Sequence, residues 1–248
     1  MSRGNFVLLP DWPAPARVRA AVTTRMGGVS RSPYDSLNLG NHVGDDPLAV
    51  AANRERLHRL LPDLPATPRW LAQVHGTRCI RAEEAQPGAE ADAAVTDRPG
   101  LVCAVLTADC LPLLLCDRAG TVVGVAHAGW RGLLAGVIES TVAALGRPGA
   151  DMLAWLGPAI GPAAFEVGEE VRAAFLAHDP VAASAFRPAG DGKWLCDLYA
   201  LARQRLAPLD VVWVGGGDLC THSDSRHFYS FRRDGVTGRM ASLIWLAG

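Results

Sequence analysis

The chain has 248 residues, 49% hydrophobic and 20% charged, the profile of a globular protein with a sizeable core rather than of a disordered one. Lys and Arg (24) nearly balance Asp and Glu (25), and the net charge of −1 offers no electrostatic footprint for nucleic acid or an anionic membrane surface. The opening run MSRGNFVLLPDWPAP is too short and too broken by proline for a signal peptide, and no later segment has the uncharged length of a membrane span, so a cytoplasmic protein is expected.

Residues 18–24 read as a strand running into the turn Arg25-Met26-Gly27-Gly28. Residues 34–46 are polar and turn-rich, and an Asp before Pro47 marks the start of a helix over 47–61. Residues 69–75 are a strand candidate, and 83–91 an acidic loop punctuated by Gly and Pro. Three apolar runs, 101–107, 111–116 and 121–126, are separated by short turns, which is the pattern of adjacent buried strands. A helix over 133–145 closes at Gly146, followed by a strand at 152–156 and helices at 168–177 and 198–206. Strands at 210–214, 228–231 and 240–246 complete the chain. No repeat or linker divides it, so residues 1–248 read as one domain, and hairpin-like strand neighbours favour a mixed sheet.

His75 in QVHG, Cys110 in TADCLP and His127 in AHAGWRG each stand where an apolar strand meets a turn. Val123, Val125 and His127 share one face of their strand, so the histidine continues a core-facing row to its open end. Two imidazoles and a thiolate suit zinc, and three protein ligands leave a fourth position for water or substrate. Other chemistries fit the same residues. Cys110 can be a nucleophile with His127 as its base, although Asp109 beside it raises the thiol pKa. The set also matches a blue-copper centre, and each residue taken singly suits packing or capping at a strand end.

The cysteines at 79, 103, 110, 116, 196 and 220 form no CxxC pair and read as thiols, packing residues or ligands rather than disulfides. Seven histidines without a His-x-His pair do not furnish a multicopper centre. Arg25 before a Gly-Gly turn, Arg131 after Trp130, and Arg232-Arg233 after FYSF are candidates for bidentate binding of an anion.

Seven motifs occur in order: TTRMGGVS (23–30), SLNLGNHVGDD (36–46), QVHG (73–76), TADCLP (107–112), AHAGWRG (126–132), GPAIGPAAFEVG (157–168) and FYSFRRDGVTGRMA (228–241). Together they resemble the bacterial proteins once labelled multicopper polyphenol oxidases or laccase-domain proteins, now described as zinc-dependent purine nucleoside phosphorylases. The resemblance spans nearly the whole chain. It implies a single domain of α/β class, α+β type, with mixed β-sheets layered against helices. It also implies zinc on His75, Cys110 and His127, with purine nucleosides and phosphate as small-molecule partners. The implied reactions are phosphorolysis of adenosine, inosine and S-methyl-5′-thioadenosine, and deamination of adenosine by water.

Within that expectation Cys110, Asp109 and Arg131 are the catalytic candidates, and Arg25, Asn38 and Arg232 the substrate-binding ones. The usual zinc-deaminase signature is absent, so no glutamate stands out as a proton shuttle, and Asp109 is the nearest carboxylate in sequence. Phe165 stands where such proteins often have tyrosine. Two further activities compete within the resemblance: copper-dependent oxidation of phenols, and a cytoplasmic peptidoglycan-editing amidase that hydrolyses a muramyl-amino acid precursor. A non-catalytic module would instead close a structural zinc site with Cys220 or His227.

Overall fold

Side-chain alternation along the strands sets the layers of this protein. The structure, a computed structural model, describes residues 6–86 and 88–248; residues 1–5, where the opening run begins, and Pro87, in the acidic loop, lie outside it. One antiparallel sheet joins β1 (Val7–Leu8), β2 (Val18–Thr23), β13 (Met240–Leu246) and β5 (Val102–Thr107) in that order. A six-stranded mixed sheet runs β12 (Trp213–Gly216), β8 (Met152–Leu156), β6 (Leu111–Asp117), β7 (Val123–Ala128), β4 (Ala93–Thr96), β3 (Cys79–Arg81), with parallel pairing at its two outer pairs. A small sheet of β10 (Phe186–Gly190), β11 (Lys193–Cys196) and β9 (Glu166–Gly168) lies apart from both.

On β6, Leu111, Leu113 and Leu115 pack with Val137 and Ile138 of α3 (Val137–Leu145) and Leu201 of α5 (Leu198–Leu206). The intervening Leu114 and Cys116 meet Val22, Val105 and Ile244 of the four-stranded sheet. The far face of that sheet, with Ala21, Ala104 and Leu243, is covered by Leu57 of α1 (Pro47–Leu60). The order is therefore helix, sheet, sheet, helices, a mixed α/β arrangement in which β6 and β7 are buried on both faces. Doubly covered strands need no polar alternation, which is why their sequences are near-continuous apolar runs.

Several boundaries follow the expected chemistry. Asp46 accepts the Leu48 N–H at 2.9 Å and Pro47 takes the first helical position of α1. Gly146 ends α3 in the left-handed conformation. Other segments differ from the sequence reading for identifiable reasons. Residues 69–75 make only isolated bridges, because the Gln73 amide bonds both Leu106 N–H (2.7 Å) and Leu106 C=O (2.9 Å) in place of a backbone ladder. The helix expected over 133–145 is two: α2 (Trp130–Ala135) and α3, separated by Gly136 at φ 106°. The strand expected over 228–231 is a buried coil leading into α6 (Phe231–Asp234), with the Arg233 guanidinium bonded to the carbonyls of Thr221, His222 and Phe228. The strands β3, β4 and β9–β11 and the early start of α2 were not expected, and α4 (Glu169–His178) matches its helix closely.

The turn between β6 and β7 is built on Asp117. Its carboxylate accepts Thr121 N–H (2.6 Å), Thr121 O–H (2.5 Å) and Val122 N–H (3.1 Å). Burial opposes its charge, yet these donors and the Arg147 cation hold its pKa below the usual carboxylate range. A depressed folded pKa contributes stability above the unfolded pKa that is lost as pH falls through the folded one. Asp117→Asn should therefore lower unfolding free energy by about 1–2 kcal/mol at pH 7. Urea denaturation should show that difference shrinking below about pH 4; an unchanged gap would contradict the assignment.

Candidate metal centre and its cavity

Strand pairing assembles the centre. In the register of β6 and β7, Leu111 pairs with Ala128 and Pro112 with His127, which sets Cys110, just before β6, at the end of β7. In the register of β4 and β7, Ala93 pairs with Ala126, so Asp92 comes alongside His127, whose N–H donates to the Asp92 carbonyl at 2.7 Å. Val123 and Val125 lie in the core between the two sheets, and His127 ends that row, 3% exposed. His75 arrives on a loop and adopts φ 60°, while Asp109, before Cys110, adopts φ 88°. Left-handed non-glycine residues carry strain and gather where a site dictates the backbone.

The donor atoms of His75, Cys110 and His127 all lie within 4.8 Å of one another. Cys110 Sγ is 3.8 Å from His75 Nε2, and the two imidazoles meet edge to face at 4.7 Å between centroids. Behind them sits Asp92, fully buried, a residue that sequence reading missed. One of its oxygens bonds His127 Nδ1 (2.8 Å) and His75 N–H (2.9 Å); the other accepts Val74 N–H (3.2 Å) and Gly76 N–H (2.7 Å). Burial alone would raise its pKa, but the His127 ring and these N–H groups hold it down. With Nδ1 engaged, His127 presents Nε2 to the cavity, the outer-shell carboxylate arrangement common behind ligand imidazoles.

Desolvation opposes ionisation of Cys110, yet the adjacent His127 and His75 draw its pKa below that of an ordinary thiol. By contrast, burial pushes Cys79, Cys116 and Cys196 up to about 12. All six cysteines are free thiols. Cys220 and His227 do not join the trio: Cys220 Sγ accepts from Gly161 N–H, and His227 bonds Asp224.

The trio opens into a cavity of about 480 Å³. Asp109, Arg131 and Arg232 line it as well; Arg25 and Asn38 do not. Arg131 lies over the Trp130 ring at 4.4 Å, and Arg232 lies over Phe165 at 5.3 Å with its Nη1 bonded to the Glu166 carbonyl. Asp109 has both carboxylate oxygens engaged, one by Thr221 O–H (2.6 Å) and the other by Arg232 N–H (2.7 Å). Arg25 bonds the Asp35 side chain and the carbonyls of Asp35 and Ser225. Asn38 is fully buried, its Oδ1 accepting the N–H of both Gly40 and Arg239. His42, Gln73, Phe231 and Arg239 also line it; all four lie in the quoted motifs, yet only their place in the fold singles them out.

Gly129, at the start of α2, explains part of the AHAGWRG motif. A Cβ there would come within 2.8 Å of Cys110 Sγ and 3.0 Å of His75 Cδ2. Gly129→Ala should displace both donors and reduce bound metal per chain, measured by elemental analysis, without comparable loss of helicity. Asp92→Asn should keep the volume but weaken metal affinity about 10–100-fold, read by competition with a chelator; affinity equal to the parent would remove Asp92 from this role.

Comparison with known proteins agrees with the geometry. A family described as multi-copper polyphenol oxidoreductase laccase matches residues 19–247. A protein of Pseudomonas aeruginosa named purine nucleoside phosphorylase is 58% identical, over 98% of this chain and 99% of its own length. The Escherichia coli protein named purine nucleoside phosphorylase YfiH is 55% identical, over 97% of this chain and 98% of its own. The crystal structure of Neisseria meningitidis protein NMB0706 superposes with a TM-score of 0.94 at 54% identity, over 99% of this chain and 100% of that one. On a match that covers nearly its whole length, the chain belongs to the multi-copper polyphenol oxidoreductase laccase family, alongside relatives named purine nucleoside phosphorylase.

Proposed function

We propose that the protein is a cytoplasmic, zinc-dependent purine nucleoside phosphorylase acting on adenosine, inosine and S-methyl-5′-thioadenosine, with adenosine deaminase activity. The observation that carries this reading is one cavity holding both the His75–Cys110–His127 trio and arginines whose side chains have no carboxylate partner among the described residues. The names of the relatives support the substrate class. The donor set fits zinc: two imidazoles, one thiol with a lowered pKa, a buried carboxylate behind one ring, and no fourth protein ligand. A blue-copper site would add a weak axial ligand such as methionine, and no methionine lines the cavity among the described residues. Zinc bound there would supply a Lewis acid at an open coordination position.

The remaining work falls to the chain's own side chains. Trp130, Phe165 and Phe231, each with an arginine over its ring, give a purine aromatic walls, while Leu106, Ile160 and Leu198 keep water from it. In phosphorolysis a phosphate oxygen bonds to C1′ as the C1′–N9 bond breaks, and the electron pair and a proton end on the purine. Arg131 and Arg232 stabilise that charge. Asp109 is a positioning residue: its bonds to Thr221 and Arg232 hold the start of α6, and with it Phe231, against the cavity. In deamination a water oxygen replaces the amino group at C6, which leaves as ammonia. Asn38 and Arg25 support the site at one remove, through the loops they tie together.

One observation favours a second reading. Cys110, His127 and Asp92 also align as nucleophile, base and orienting carboxylate, which suits a muramyl-amino acid amidase. His75 has no part in that series, whereas a metal uses it.

Elemental analysis of protein purified without added metal should find about one zinc per chain, as a three-ligand site holds a single ion. Adenosine with phosphate should yield adenine and ribose 1-phosphate, and without phosphate, inosine. Cys110→Ser should lose zinc and lower both rates about a hundredfold or more. Full activity in metal-free protein would sink the zinc reading. Cleavage of the muramyl precursor with a covalent Cys110 adduct, and no action on nucleosides, would replace it with the amidase.

A further inference from the structure

The metal cavity has a neighbour of about 580 Å³, and His42 and Gln73 line both. Gln73 is a fixed wall, since its amide is bonded in both senses to Leu106. His42 stands at the junction, with Arg239 on the metal side and Arg54 on the other, and no ion pair holds its ring among the described residues. We propose that this junction is a subsite for a phosphoryl oxyanion, held by Arg239, His42 and Arg54.

The charges there are unbalanced. Among the described residues neither Arg239 nor Arg54 is in an ion pair. No acidic residue lines either cavity except Asp109, whose oxygens are both engaged. A partly buried guanidinium without a counter-charge costs free energy unless a ligand supplies one. Burial pushes the pKa of Arg239 down against an opposing pull from Cys110 and Asp109 on the metal side, and the Arg239 and Arg54 cations add to burial in lowering that of His42. A positive field at the junction therefore stands beside the geometry.

The three groups are also prearranged, all through residues 38–42. Asn38 Oδ1 accepts the Arg239 N–H at 2.9 Å, and Leu39 N–H donates back to the Arg239 carbonyl. The Arg239 stem crosses Gly40 so closely that a Cβ there would lie 2.8 Å from its Cγ. Arg54 donates Nε and Nη2 to the Leu39 carbonyl. Arg239 uses Nη1 on the carbonyls of Thr237 and Gly238, which leaves Nε and Nη2, with Nη1 of Arg54 and a ring nitrogen of His42, for a ligand. N–H groups from the two sides of the junction, with His42 lining both cavities, suit the oxygens of a phosphoryl group.

The inference deepens the phosphorylase reading and rests on it for the source of the phosphoryl group, which is either inorganic phosphate or the 5′-phosphate of a nucleotide. Calorimetric titration of the metal-loaded protein with inorganic phosphate, adenosine and adenosine 5′-monophosphate tests it. In Arg239→Gln, phosphate affinity should fall about tenfold or more, and by a clearly larger factor than adenosine affinity, with metal content unchanged. Arg54→Gln should weaken phosphate in the same direction and serves if the first variant melts early. Loss of inorganic phosphate binding supports a free-phosphate site. A nucleotide bound more tightly than adenosine, with that advantage lost in Arg239→Gln, supports a nucleotide site. Phosphate and nucleotide affinities unchanged in both variants overturn the subsite. Phosphate binding that depends on Arg239 in a protein that splits no nucleoside keeps the subsite and removes the phosphorylase reading.

Discussion

The carboxylate of Asp92 receives N–H groups from two directions, Val74, His75 and Gly76 on a loop and the imidazole of His127 on β7. Neither partner would hold its place alone. The loop is not a regular strand and carries a left-handed histidine, and the ring of His127 has two orientations to choose between. Joining them through one buried acid converts sheet register into donor geometry. The acid itself is fixed by the pairing of β4 with β7, which also places Cys110 through β6. The metal trio is thus a property of three adjacent strands and one captured loop.

Much of this was legible because chemistry-bearing residues interrupted apolar runs. His75, Cys110 and His127 stood out as polar groups at the ends of buried strands, and runs too apolar to face water on either side marked those strands as adjacent and buried, while the layering of sheets against helices came from the resemblance. Asp92 was not legible, because an Asp between alanines at the head of a short strand looks like a solvated turn until β4 is paired. Arg239 and His42 were missed for the same reason: they meet only through residues 38–42, about two hundred positions from the end of the chain that carries the arginine. The mistaken strands at 69–75 and 228–231 share a cause as well. In both, side chains (Gln73 and Arg233) make the hydrogen bonds a ladder would make, and no periodicity records that.

The cavity wall depends on the C-terminal part of the chain as much as the trio depends on the strands. Asp109 bridges the two, since its backbone precedes Cys110 while its carboxylate holds Thr221 and the Arg232 N–H. Asn38 does the same for the opposite wall by locking the 38–42 loop to Arg239. Both residues appeared in sequence as candidates for chemistry. Their buried, fully bonded side chains set where Phe231, Arg232 and Arg239 stand.

Burial divides the trio unequally. His127 ends the row between the sheets at 3% exposed, Cys110 is half-buried, and His75 is exposed on its loop. The centre therefore has an inside and an outside. The most exposed donor thus sits on a segment held by three N–H bonds to one carboxylate, and the most buried on a strand paired on both sides.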